Sequence, residues 1–433
     1  MNRETIKSIV LAALVILSLI QTYSIWTYQG NFEAKSAAES PNIKPIAPEN
    51  DLNFSDVVKP FQLLHINADD KSVLGSYGTM VDTVYNKVLN MKWTVNISDN
   101  VPSQYDAYEM VFPAPLIMET IQTLFDFGQR KTTIRQDWLI DRIRIYQLES
   151  QTLLAFMDAN EDVKFTATSP DVLFNKDGDY YDKNFYPCHR VALKGKVVYI
   201  PKTALTLEKL TYPFTLVDIK EFKPIFFNNL LRTYYSHGAY TDGNSLLKQD
   251  DDSYVLRYVN PATGGNTVIS DPIYKGYSFI DSHSGWTDKN FVYDYFDSRP
   301  EDNEDSVDFR LMRKGLPVYS VSAYPSEAMI SLSWENGILN KVDRTLIKIG
   351  GSALSSEPET IFSGEDLLAI LSSSHILSKF LEDLRIGYWM EINASSHLVN
   401  LVPDWFFKTN GQWVSLEDYI SRTSQGNGKG DGE

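Results

Sequence analysis

A single cysteine, Cys188, excludes an internal disulfide. An exported body of this size without disulfides suits a bacterial surface better than a secreted eukaryotic domain. Basic residues are outnumbered: 40 Lys and Arg stand against 56 Asp and Glu, for a formal charge of −16. Nucleic acid or an anionic surface would need a basic face, so neither is expected as the main partner. Catalytic signatures are missing too. There is no G-x-S-x-G elbow, no H-E-x-x-H, no Cys pair for zinc and no phosphate loop. The most telling absence is of charge, since no charged residue occurs between Lys7 and Glu33.

That uncharged stretch holds Ser8–Tyr28 (SIVLAALVILSLIQTYSIWTY). As a helix rising about 1.5 Å per residue, it is long enough for the roughly 30 Å hydrocarbon core of a bilayer. Arg3 and Lys7 precede it, and Tyr23, Trp26 and Tyr28 lie at its far end, where amphipathic rings favour the headgroup layer. Positive charge ahead of the span places residues 1–7 in the cytoplasm and everything after Gly30 outside. A cleaved signal peptide competes, because Ile9–Ile20 has h-region length and Ser36-Ala37-Ala38 offers small residues. Those residues lie far beyond Ile20, however, and Ile25, Trp26 and Tyr28 extend the apolar element. A retained single-pass anchor in the cell membrane is the expectation.

Beyond the anchor, 43% hydrophobic and 13% aromatic content supports folded cores. Residues 29–54, with Pro41, Pro45 and Pro48, read as a stalk. An α+β domain is expected over 55–170, a β-rich central domain over 171–303 and an α+β C-terminal domain over 304–420, ahead of a disordered tail over 421–433. Within these, Val57–Ile66 suits a strand, and Val81, Val84, Tyr85 and Val88 have helical spacing. A helix is expected from Pro115 to Gly128 and another around Asp218–Leu231. Lys194-Gly195, Asn336-Gly337 and Asn410-Gly411 signal tight turns. The acidic run Arg299–Asp305 reads as a domain boundary. Ser363 suits a helix cap, with Leu367 and Leu371 facing inward.

Residues with chemical potential have blander explanations. Cys188 and His189 adjoin, but neighbours on a strand point to opposite faces. Asp281-Ser282-His283-Ser284 gathers the letters of a triad, whose members usually converge from separate segments. The acidic groups Asp177–Asp182 and Asp250–Asp252 lack the oxygen spacing of a calcium loop. His65, His189, His237, His283, His375 and His397 are spread too thinly to specify a metal site. Gly426, Gly428 and Gly430 fall in the expected loose tail. Neither a catalytic residue nor a cofactor or metal is expected.

One pattern remains, and it lies in the membrane span. On a helix Ser8, Ala12, Val15, Leu19, Thr22 and Trp26, spaced alternately four and three apart, form a seam on one face. Small and hydroxyl residues there allow the close packing and side-chain hydrogen bonds through which helices associate in lipid. The seam is the candidate partner-binding site.

The opening Met1-Asn2-Arg3-Glu4-Thr5-Ile6-Lys7-Ser8 runs straight into a span ending Ile25-Trp26-Thr27-Tyr28. Toward the other end come Leu384-Arg385-Ile386-Gly387-Tyr388, Leu401-Val402-Pro403-Asp404-Trp405 and Asn410-Gly411-Gln412-Trp413. Together these resemble the YycH family of low-GC Gram-positive bacteria over most of the chain. The resemblance implies a non-enzymatic accessory regulator of the WalK–WalR (YycG–YycF) two-component system, which controls cell-wall metabolism. It implies as partners, in the membrane, the WalK sensor histidine kinase and a YycI-type protein whose external domain is similar in fold to the C-terminal domain. Three extracytoplasmic domains would follow. A surface module sensing a wall-derived ligand, with the anchor only a tether, is the alternative reading, and an extracytoplasmic hydrolase is the third.

Overall fold

The structure, a computed structural model, describes residue 18 and, with short gaps, residues 45–426. Apart from the helical Ser18, the expected span 8–28 and all six seam residues lie outside the described residues. Among those described, no helix is long and apolar enough to cross a membrane. The body is strand-rich α+β, built on two large sheets.

The first sheet has nine strands, in the order Thr94–Asn96, Val163–Ser169, Thr152–Met157, Leu139–Gln147, Ala107–Ile117, Gln62–Ile66, Val73–Tyr77, Tyr186–Leu193 and Lys196–Pro201. All its pairings are antiparallel. The helix Thr79–Leu89 buries Val81, Val84, Tyr85 and Val88 in the core beside it. The expected strand from Val57 begins later. Asn53 and Asp56 close a capping box around the one-turn helix Phe54–Val57, and Pro60 separates it from Gln62–Ile66.

Pro115 does not open a helix. Ala107–Ile117 is one long strand, and its register against Leu139–Gln147 jumps between Val111 and Leu116, across Pro113-Ala114-Pro115. Proline has no N–H for the ladder, so a proline pair inside a strand requires a bulge. Helix Met118–Leu124 starts only after it. The bulge leaves the Pro113 and Pro115 carbonyls available to a partner outside the sheet.

The second sheet has 15 strands drawn from residues 205–415. Its ladders are antiparallel except where Leu316–Ser320 runs parallel to Asp383–Asn393. The two sheets change over between Pro201 and Leu205, inside the segment expected as a central domain. Arg299–Asp305 is not a break but the turn of a hairpin, with Arg299 opposite Glu304. Arg299 offsets the acidity there by ion pairs to Asp297, Asp302 and Glu304. The helix expected around Asp218–Leu231 is broken at Pro224 into the 3₁₀ turn Ile219–Phe222, the short helix Lys223–Phe226 and the turn Leu230–Arg232.

Turn chemistry fares better. Asn336-Gly337 and Asn410-Gly411 both take two left-handed residues, φ 52° and 81°, then 50° and 75°. Ser363 caps Gly364–Ser373 by accepting from the Asp366 N–H, and Leu367 and Leu371 are fully buried. Helix Leu416–Gly426 runs into the positions expected as a loose tail.

The last part of the expected stalk is packed. The Ala47 N–H donates to the Ser284 carbonyl at 2.9 Å, Asn50 to the Trp286 carbonyl at 2.7 Å, and Tyr277 to the Leu52 carbonyl at 2.7 Å. Phe54 packs edge-on against Tyr274 and Tyr277 of helix Pro272–Asp281. The chain therefore reaches its own first sheet only after docking on the second.

Candidate functional site

The sheets meet around a cleft of about 720 Å³. Both contribute to its wall: Pro113, Pro115, Asp141 and Lys196 from the first, Asp294, Arg310, Tyr319, Asp383, Arg385 and Trp413 from the second. This volume lies within the usual ligand-pocket range of about 300–1,000 Å³.

A chain of buried charges runs along the wall. Lys196 Nζ donates to Asp383 Oδ2 at 2.8 Å across the junction. Arg385 Nε and Nη2 donate to the same oxygen, and its Nη1 donates to Asp294 Oδ1 at 2.7 Å. Arg310 Nε donates to Asp294 Oδ2, also at 2.7 Å. Arg385 reaches further, to the Pro113 carbonyl, and Tyr293 donates to the Pro115 carbonyl at 2.6 Å. The proline bulge thus supplies acceptors to the other sheet. Aromatic faces cover the guanidinium groups: Arg310 lies 4.4 Å from the Tyr319 ring centre and Arg385 4.8 Å from that of Trp413.

These contacts fix the ionisation. Burial works to raise the Asp294 carboxyl, but Arg310 and Arg385 outweigh it and hold it at about 2. Asp308 and Asp141 lack a directly bonded arginine, and burial pushes each up to about 6. The Tyr319 hydroxyl is buried on the cleft wall with no hydrogen-bond partner among the described residues. The cleft therefore combines both charge signs, aromatic faces and one unsatisfied hydroxyl.

Sequence reasoning did not find this site, because its charges come from positions hundreds apart. One local signal existed. Asp383-x-Arg385 and Asp308-x-Arg310 place an acid and a base on one face of strands otherwise built from core residues, and a charged pair facing inward calls for further partners.

The chemical candidates in the sequence stay apart. Cys188 is buried, and burial pushes its thiol up to about 12, while the adjacent His189 turns toward Glu365 at 3.7 Å. Ser282 and His283 touch at 3.0 Å, but both also bond the Phe279 carbonyl at the end of a helix. Asp250 is buried between Lys248 and Arg257, whereas Asp177–Asp182 and residues 251–252 lie outside the described residues. His237, His375 and His397 occupy left-handed turn positions. Among the described residues, no three His, Cys, Asp or Glu side chains gather as metal ligands.

Known proteins match the chain over nearly its whole length. The YycH protein N-terminal domain matches residues 4–173, and the YycH protein C-terminal domain matches residues 195–424. The two-component system WalR/WalK regulatory protein YycH of Bacillus subtilis (strain 168) is 21% identical over 478 aligned residues, covering 99% of each chain. The crystal structure of YycH from Bacillus subtilis matches with a TM-score of 0.68 at 15% identity, over 84% of this chain and 97% of that one. That likeness shows the fold. With both domain descriptions matched in order, the chain belongs to the YycH family.

Proposed function

We propose that this chain is a membrane-anchored, non-enzymatic regulator of a WalK-type (YycG) sensor histidine kinase, acting with a YycI-type partner in the control of cell-wall metabolism. The observation that carries the reading is the end-to-end match to a relative named as a WalR/WalK regulatory protein, with 99% of each chain covered. The proposed anchor is the helix 8–28, its N-terminus cytoplasmic and the body extracytoplasmic. The seam of Ser8, Ala12, Val15, Leu19, Thr22 and Trp26 is its proposed contact with partner helices. Support comes from the charge-free span behind Arg3 and Lys7. Purifying the intact chain from membranes and identifying what accompanies it by mass spectrometry tests the reading. Recovery of the kinase is expected, and its consistent absence would sink the proposal.

The cleft favours a second reading, a surface module that binds a wall-derived ligand with the anchor as tether. Exchanging 8–28 for an unrelated apolar helix separates the two. Loss of kinase regulation supports helix contacts, and full retention supports the tether.

A further inference from the structure

Four large apolar side chains are exposed over the turn Leu230–Arg232 and the edge strand Tyr234–Ser236 that follows it, at the outer end of the second sheet. Leu230 is 48% exposed, Leu231 99%, Tyr234 56% and Tyr235 65%. Loose apolar residues are common on protein surfaces, but a cluster of this kind marks a contact. Two further observations indicate what makes it.

The charge here is inverted. The chain as a whole carries −16, yet from Phe222 to His237 it has Lys223 and Arg232 and no acidic residue. Lys223 Nζ sits 4.6 Å from the Tyr240 ring centre, beside the cluster, and Arg232 lies between the leucines and the tyrosines. Leucines that can insert, tyrosines suited to the headgroup layer and flanking bases are the composition of an interfacial membrane contact.

The cluster also lies near the place where the chain arrives from its N-terminal segment. Ile46 lines a small apolar hollow with Phe226. Phe226 stacks on Tyr258 at 4.3 Å, and Tyr258, Leu247, Tyr240 and Tyr235 stand opposite one another on successive strands. At about 4.8 Å per strand, Tyr235 is roughly 15 Å from Tyr258.

We propose that the segment Leu230–Tyr235 docks on the outer surface of an anionic bilayer, forming a second membrane contact that fixes the body's orientation. This rests on the anchor reading above. Two contacts hold a body far more tightly oriented than one helix on a flexible link, because the second engages at high effective concentration.

The test uses the full chain in vesicles of phosphatidylcholine and phosphatidylglycerol, with a fluorophore on Leu231→Cys and the buried Cys188 left in place. Ile97→Cys, at the outer edge of the first sheet and 62% exposed, is the comparison. A label at 231 should emit to the blue and lose most of its intensity to lipid-borne quenchers placed about 5–10 Å deep. The label at 97 should behave as in water. The double variant Leu230→Ser, Leu231→Ser, labelled at Tyr235→Cys, should lose the quenching with folding unchanged. Equal, water-like emission at 231 and 97 would overturn the docking. So would shielding of 231 without lipid quenching, which would assign the turn to a protein partner. Release of the chain by alkaline carbonate would instead defeat the anchor reading, and lipid quenching at 231 is read independently of it.

Discussion

The backbones of Gly78 and Gly315 are in contact: a Cβ on Gly315 would stand 2.4 Å from the Gly78 nitrogen and 2.5 Å from its Cα. Gly78 joins strand Val73–Tyr77 to helix Thr79–Leu89, and Gly315 sits in the turn between Glu304–Arg313 and Leu316–Ser320. A turn of one sheet thus presses on a turn of the other, backbone to backbone, where a side chain on Gly315 would separate them.

Gly315→Ala should therefore weaken the junction. Gly411→Ala is the matched reference, since Gly411 has the same left-handed backbone (φ 75° against 81°) and nothing within 4 Å of a built Cβ. The reference should cost about 1–2 kcal/mol in left-handed strain. Gly315→Ala should cost that plus a further ~1–3 kcal/mol of overpacking. Urea unfolding of both variants checks this, and equal losses would mean the contact carries no strain.

The ion pair of Lys196 and Asp383 joins the same two sheets at the cleft wall. Asp383→Asn leaves Arg385 and Lys196 buried with less negative charge between them, and removing one partner of a buried pair typically costs about 3–5 kcal/mol. Replacing Lys196 with Met should cost less, because Arg385 still satisfies Asp383. Thermal unfolding should rank the variants in that order.

Acidity should act with two opposite signs. Asp308 titrates at about 6 in the folded protein, against roughly 3.9 for an unfolded aspartate. Its folded form holds the proton more tightly, so its contribution to stability is complete below about pH 4 and disappears as pH rises through about 6. Asp294, held at about 2, contributes above about pH 4 and loses that contribution as pH falls toward 2. Between them the two groups place the maximum near pH 4. Asp308→Asn should make the decline between about pH 4 and 6 shallower, Asp141 and Asp404 supplying the rest, and raise stability at pH 7 by at most about 3 kcal/mol at 1.36 kcal/mol per unit. Denaturation across pH 2–8 reads both limbs, and an unchanged upper limb in the variant would refute the assignment.

Local chemistry was readable in advance where a few adjacent residues determine the outcome. Asn336-Gly337 and Asn410-Gly411 turn because both residues tolerate left-handed φ, and Ser363 caps because its oxygen meets an orphan N–H. Lys314-Gly315 makes the same kind of turn, φ 50° and 81°, with no asparagine to announce it. Pro115 deceived because proline suits both the first turn of a helix and a bulge, and only the partner strand decides between them. The acidic run after Arg299 looked like a linker because ion pairing to one arginine is invisible in composition. The cleft escaped for a different reason: Lys196, Asp294 and Asp383 come together only when two sheets meet, and no window on the sequence contains them.

The membrane seam gives the sharpest test of the regulatory reading. If Ser8, Ala12, Val15, Leu19 and Thr22 face a partner helix, enlarging a small member should hold the helices apart. Ala12→Leu and Ser8→Leu keep the span apolar, so insertion should survive. Each should weaken the complex with the kinase by about 1–2 kcal/mol, the scale of interhelical contacts in membranes. Ala13→Leu adds the same bulk about 100° further round the helix and should be nearly silent. Crosslinking in membranes at matched expression compares the three. Equal effects at Ala12 and Ala13 would show the stripe to be accidental and move the coupling to the external sheets, where the Gly315→Ala and Asp383→Asn variants would then be the ones to alter kinase output.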